Sequence, residues 1–105
     1  GVGHFERKGR PTAVWARVPR GEPLAQLQHR VERACRRVGF DPEKRAYRPH
    51  VTLARLPRSA GPIGDWLAQH GTLRAGPWQV EGFTLYESRL RPEGALYSAL
   101  VDYAI

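Results

Sequence analysis

The chain of 105 residues sets 17 Lys and Arg against 10 Asp and Glu, a formal charge of +7, and is 41% hydrophobic and 26% charged. That length suits one domain with one core, and the balanced composition excludes collagen-like, coiled-coil and wholly disordered chains. Apolar runs such as Thr12 to Ala16 fall far short of the ~20 residues of a membrane span and no signal-peptide core opens the chain, so the expectation is a soluble, cytoplasmic single domain over 1–105 with no membrane partner.

Pro and Gly, nine and eleven in number, divide the chain into short elements without a linker or repeat. Gly1 to Phe5 and Thr12 to Val18 read as strands around a basic turn, Glu6 to Pro11, that favours a hairpin. From Pro23 to Val38 the residues Leu24, Leu27, Val31, Ala34, Cys35 and Val38 recur at helical spacing, with Pro at the first turn and Gly39 after the last. The opposite face of that helix holds His29, Arg33 and Arg36 and reads as solvated. Cys35, the single cysteine, excludes an intrachain disulfide and a Cys-based zinc cluster, and its place on the apolar stripe reads as a small buried hydrophobe.

After a polar connection, Phe40 to Ala46, the segment Arg48 to Arg55 reads as a strand, with Val51 and Leu53 on one face and His50 and Thr52 on the other. Pro62 to His70 predicts a short helix, with Ile63, Trp66 and Leu67 inward. Trp78 to Leu90 and Ala95 to Ile105 alternate on both sides of the turn Arg91 to Gly94 and predict an antiparallel hairpin. The order points to an α+β fold, two helices on one face of a mainly antiparallel sheet.

His50 and Thr52, two apart on a strand, project an imidazole and a hydroxyl from one face. The pairing suits phosphate chemistry, since an imidazole moves protons near neutral pH and a hydroxyl donates to a phosphoryl oxygen. Arg55 adds a forked cation that matches phosphate geometry, although strict alternation turns it to the face opposite His50 unless the strand ends or twists there. Arg48 is near enough to reach a phosphate, with a solvated edge charge as the blander alternative. A bare His-x-Thr also fits a strand histidine bonded to backbone. Fifteen of the seventeen basic residues are Arg, spread from Arg7 to Arg91, a distribution that permits phosphate-bearing partners. Trp15, Trp66, Trp78, Tyr86 and Tyr97 read as core more readily than as base-stacking residues.

The segment Tyr47, Arg48, Pro49, His50, Val51, Thr52, Leu53, Ala54, Arg55 resembles the second signature of the 2H phosphoesterases, and within them the LigT-like RNA 2′,3′-cyclic phosphodiesterases, also called 2′-5′ RNA ligases. Phe5 with Gly9, Arg10 and Pro11, the strand Val14 to Ala16, the helix ending at Gly39 and Phe40, and Leu85 to Leu90 resemble the family in family order, so the likeness covers nearly the whole chain. It implies one lobe of a bilobed fold in which two His-x-Ser/Thr motifs face each other across a cleft. One histidine acts as general base and the other as general acid on RNA ends or nucleotides with a 2′,3′-cyclic phosphate, with no metal or cofactor. His50 and Thr52 are then the catalytic pair, and Arg55 and Arg48 the phosphate binders.

Only one His-x-Thr is present: neither His4, His29 nor His70 is followed two residues later by Ser or Thr. The family's first motif lies upstream of the segment resembled by Gly1 to Phe5, and the chain holds no Met. Three explanations stand: a C-terminal portion of a longer protein, which the sequence favours, a second copy that rebuilds the cleft, or a half-protein that binds RNA ends without catalysis. Beside the phosphodiesterase reading stand a non-catalytic basic RNA-binding module and a structural α+β domain; a pH-dependent activity separates the first from Arg-mediated binding.

Overall fold

A computed structural model describes all residues, 1–105. It is an α+β chain with two helices and only antiparallel strand pairs, in the order β1 (Val2–Arg7), β2 (Arg10–Arg17), α1 (Glu22–Arg37), β3 (His50–Arg55), α2 (Gly64–Gln69), β4 (Gly82–Arg91) and β5 (Gly94–Ala104). The chain divides into two compact units, residues 1–74 and 75–105, and hydrogen bonding makes a three-stranded sheet β1-β2-β3 in the first and a two-stranded one in the second. No helix is long and apolar enough to cross a membrane.

In the first unit β1 and β2 are joined by only two residues, Lys8 and Gly9, whose φ angles of 53° and 77° give the turn that matches strand twist. The strands therefore run closer to the turn than the basic composition of 6–11 suggests. Pro11 fits within β2 because the ladder is irregular between Phe5 and Glu6, where a missing donor is tolerated. The core of the unit is Ala13, Val14 and Trp15 on the central strand, the three buried hydrophobic residues of the chain. The Trp15 indole lies across Gly3, where an added Cβ would fall 2.3 Å from the ring; only glycine fits beneath it.

Helix α1 starts after Gly21 with Pro23 in its first turn. It stops in a paired closure: Gly39, at φ +101°, donates its N–H to the Arg36 carbonyl and Phe40 donates to that of Cys35. Leu24, Leu27, Val31 and Cys35 form its half-buried stripe, while Val38, expected on that stripe, lies past the last turn and is exposed. Cys35 is half-buried, not fully enclosed. Glu22 at one end and Arg36 and Arg37 at the other complement the helix dipole. Helix α2 half-buries Trp66 and Leu67, and Ile63 just before it, as the spacing predicts.

The second unit is the β4-β5 hairpin, closed by Pro92 and Glu93 between the paired Arg91 and Gly94. Trp78 to Glu81, expected in a strand, lie outside it: the ladder begins at Gly82, opposite Ala104, and beyond it the Glu81 carbonyl accepts from the Ile105 N–H at 3.0 Å. One face carries Phe83 stacked on Tyr103 at 4.8 Å and the pair Leu85 and Val101. The other carries the Thr84 hydroxyl, which donates to Asp102 at 2.7 Å, and Tyr86 edge-on to Tyr97. Both faces lie open: only Phe83 and Thr84 are half-buried.

The chain exposes 9240 Å². Two separate globules dividing its 11.9 kDa in the ratio of these units would expose about 7,000 Å² together. Large apolar side chains are among the exposed residues: Val51, Leu53, Leu85, Leu90, Leu100 and Trp78 are each at least half exposed.

Candidate active site

Strand β3 enters the sheet beside β2, and its register decides which side chains can act together. Arg17 pairs with His50, Ala16 with Val51 and Trp15 with Thr52; the ladder then slips, and Val14 pairs with Ala54 and Ala13 with Arg55. Leu53 is the extra residue of a β-bulge. Residues directly opposite in a ladder share a face. His50, Thr52 and Arg55 therefore stand on the same face as Trp15 and Arg17. Strict alternation turned Arg55 away; the inserted residue turns it back, without the strand end or twist that such a placement required on sequence grounds.

The His50 imidazole sits edge-on to Phe5, with ring centroids 5.1 Å apart, and at 5.6 Å from Trp15. These rings give it a fixed apolar floor. Its Nδ1 lies 2.6 Å from the Arg48 carbonyl oxygen. A carbonyl can only accept, so Nδ1 carries the proton and donates it, which fixes the ring orientation and leaves the Nε2 lone pair free. The side chains of Thr52 and Arg55 are exposed and take part in none of the side-chain hydrogen bonds or ion pairs within the chain. The result is an oriented imidazole, a free hydroxyl and an unpaired forked cation on one exposed face.

Arg48 stands just before β3 and acts first through its backbone; the residue also lines an open groove of about 670 Å³. Arg17 is the residue that reading the sequence missed. It is directly opposite His50, with its guanidinium 5.4 Å over the Trp15 ring. Nothing local in the sequence marks it, because the pairing joins segments separated by all of α1. His4 is on the other face, paired with Val14 and bonded through Nε2 to Glu6 at 2.8 Å. His29 is exposed on α1, and His70 packs against Trp66 at 5.0 Å. No three His, Cys, Asp or Glu side chains stand close enough together to hold a metal ion.

The profile of the family described as LigT like phosphoesterase matches residues 17–97, a span that runs from Arg17 through the whole of β3 into β5. The chain belongs to the LigT-like phosphoesterases. A LigT-like relative from Aeropyrum pernix, named RNA 2′,3′-cyclic phosphodiesterase, is 35% identical over 105 residues, covering 97% of this chain and 60% of the relative. Proteins of the same name from Archaeoglobus fulgidus and Thermus thermophilus are each 30% identical, covering 95% and 100% of this chain and 56% and 52% of their own lengths. The chain thus spans between half and three-fifths of these LigT-like relatives. No solved structure matches it.

Proposed function

We propose that this chain supplies one half of a two-histidine site that hydrolyses 2′,3′-cyclic phosphates at RNA ends, leaving a 2′-phosphate. The supporting observation is the orientation of His50: Nδ1–H is held by the Arg48 carbonyl, and Nε2 is free on the face that also holds Thr52 and Arg55. The names of the related proteins point to the same reaction.

In the reaction, the oxygen of a water molecule bonds to phosphorus while the bond from phosphorus to O3′ breaks. A base takes a proton from the water and an acid delivers one to O3′, so the products are a 2′-phosphomonoester and a free 3′-hydroxyl. His50 fits either role, because its open nitrogen accepts a proton when neutral and donates one when charged. Thr52 donates to a non-bridging oxygen, and Arg55 opposes the growing charge with a fixed fork. The remaining proton-transfer group comes from outside this chain's own motif, from a segment joined to it or from a second copy. The uncovered apolar surface of both units supports such a complement.

The test is turnover of a 2′,3′-cyclic nucleotide across a range of chain concentrations, with sedimentation measured on the same samples. Completion by a second copy gives a rate per chain that rises as dimer forms. Completion by a joined segment gives a folded, inactive chain that turns over once the segment is restored. In whichever form is active, His50→Ala lowers turnover by about 100- to 10,000-fold. Full turnover by that variant overturns the proposal.

A further inference from the structure

We infer that the groove beside His50 is a second phosphate site, one that takes the backbone of the RNA strand leading up to the cyclic end, so that the chain prefers an oligonucleotide over a cyclic mononucleotide. The inference deepens the proposed reading of His50 and rests on it. The groove is lined by Arg17, Arg20 and Arg48 together with Tyr47, Pro19 and Pro49. Two of these tie it to the candidate site: Arg17 is the ladder partner of His50, and the Arg48 carbonyl holds its Nδ1–H.

The charge count singles out the ligand. A cyclic mononucleotide carries one phosphate with one negative charge, and Thr52 and Arg55 already meet it. Arg17, Arg20 and Arg48 form no ion pair with any carboxylate of the chain. Three arginines without a carboxylate partner along one groove favour a further anion, and planar forks match the oxygens of a phosphodiester. Arg17 is already positioned, with its guanidinium resting over Trp15. Trp15 also lines the groove, and its indole Nε1–H is buried without a hydrogen-bond partner. Half-buried Tyr47 supplies an aromatic surface for the adjoining base. A groove of about 670 Å³ has room for one nucleotide.

The experiment compares binding of three probes to the chain: a five-nucleotide RNA ending in a 2′,3′-cyclic phosphate, the same RNA ending in a 3′-hydroxyl, and a cyclic mononucleotide. The expected result is that Arg17→Ala with Arg20→Ala weakens the cyclic-ended RNA by about 100-fold and lowers the salt slope of RNA binding by about 1.4. Arg20→Ala alone, outside every strand, weakens the RNA by about 10-fold, leaves the mononucleotide within two-fold, and covers the case in which the double variant fails to fold. Arg33→Ala, on the exposed face of α1, leaves all three unchanged. Equal weakening of RNA and mononucleotide, or no weakening, overturns the second site while His50 stands. Loss of discrimination between cyclic and hydroxyl ends overturns the reading of His50 and the inference with it. A poly-glutamate peptide that binds as tightly as the RNA, with the same dependence on Arg17 and Arg20, reassigns the groove to an acidic protein segment.

Discussion

The two units of the chain divide its chemistry unequally. Residues 1–74 hold fifteen Lys and Arg against six Asp and Glu, a net +9, whereas 75–105 hold two against four, a net −2. The first unit buries Ala13, Val14 and Trp15 and orients His50 against two aromatic rings; the hairpin buries no residue and holds its rings on open faces. A two-stranded hairpin is marginal by itself in water. The difference teaches that the basic unit has enough internal packing to hold the His50 ring in one orientation, whereas the hairpin leaves its apolar faces open.

Substituting one tryptophan in each unit sharpens that contrast. Trp15→Ala, at a site 4% exposed, should cost about 3 to 5 kcal/mol and unfold the three-stranded unit, read as lost NMR dispersion for residues 1–74. Trp78→Ala, at a site 78% exposed in the second unit, should change stability by less than about 0.5 kcal/mol in a denaturant melt. Equal costs would break the comparison. Gly3→Ala is expected to destabilise by about 1 to 3 kcal/mol, because the new Cβ meets the Trp15 ring and forces it to shift. Thr52→Val, at an exposed site, should leave thermal stability unchanged while weakening binding of a cyclic nucleotide by roughly 10-fold, measured by calorimetry. In the hairpin, Thr84→Val removes the bond to Asp102 and should lower stability by about 0.5 to 1 kcal/mol.

How much of this could be read in advance depended on distance along the chain. Helix α1 was legible because its stripe, its proline and Gly39 are all local signals, and the capping bonds at Gly39 and Phe40 follow from them. His50 and Thr52 were legible from their spacing and from the resemblance around them. The facing of Arg55 was not, because a bulge at Leu53 depends on what β2 offers opposite, and no local pattern announces it. Arg17 was hidden for the same reason: it meets His50 only once two distant strands pair. Strand ends also escaped, since Trp78 to Glu81 alternate like a strand yet the ladder with β5 begins only at Gly82.

The most direct test of the half-site on β3 is an NMR titration of the chain, following backbone amides and histidine ring signals, with a 2′,3′-cyclic nucleotide. Shifts centred on His50, Thr52 and Arg55, with residues 82–104 unmoved and the response lost in His50→Ala, are the expected result. Shifts centred on α1 or on the hairpin, or none at millimolar nucleotide, would contradict it.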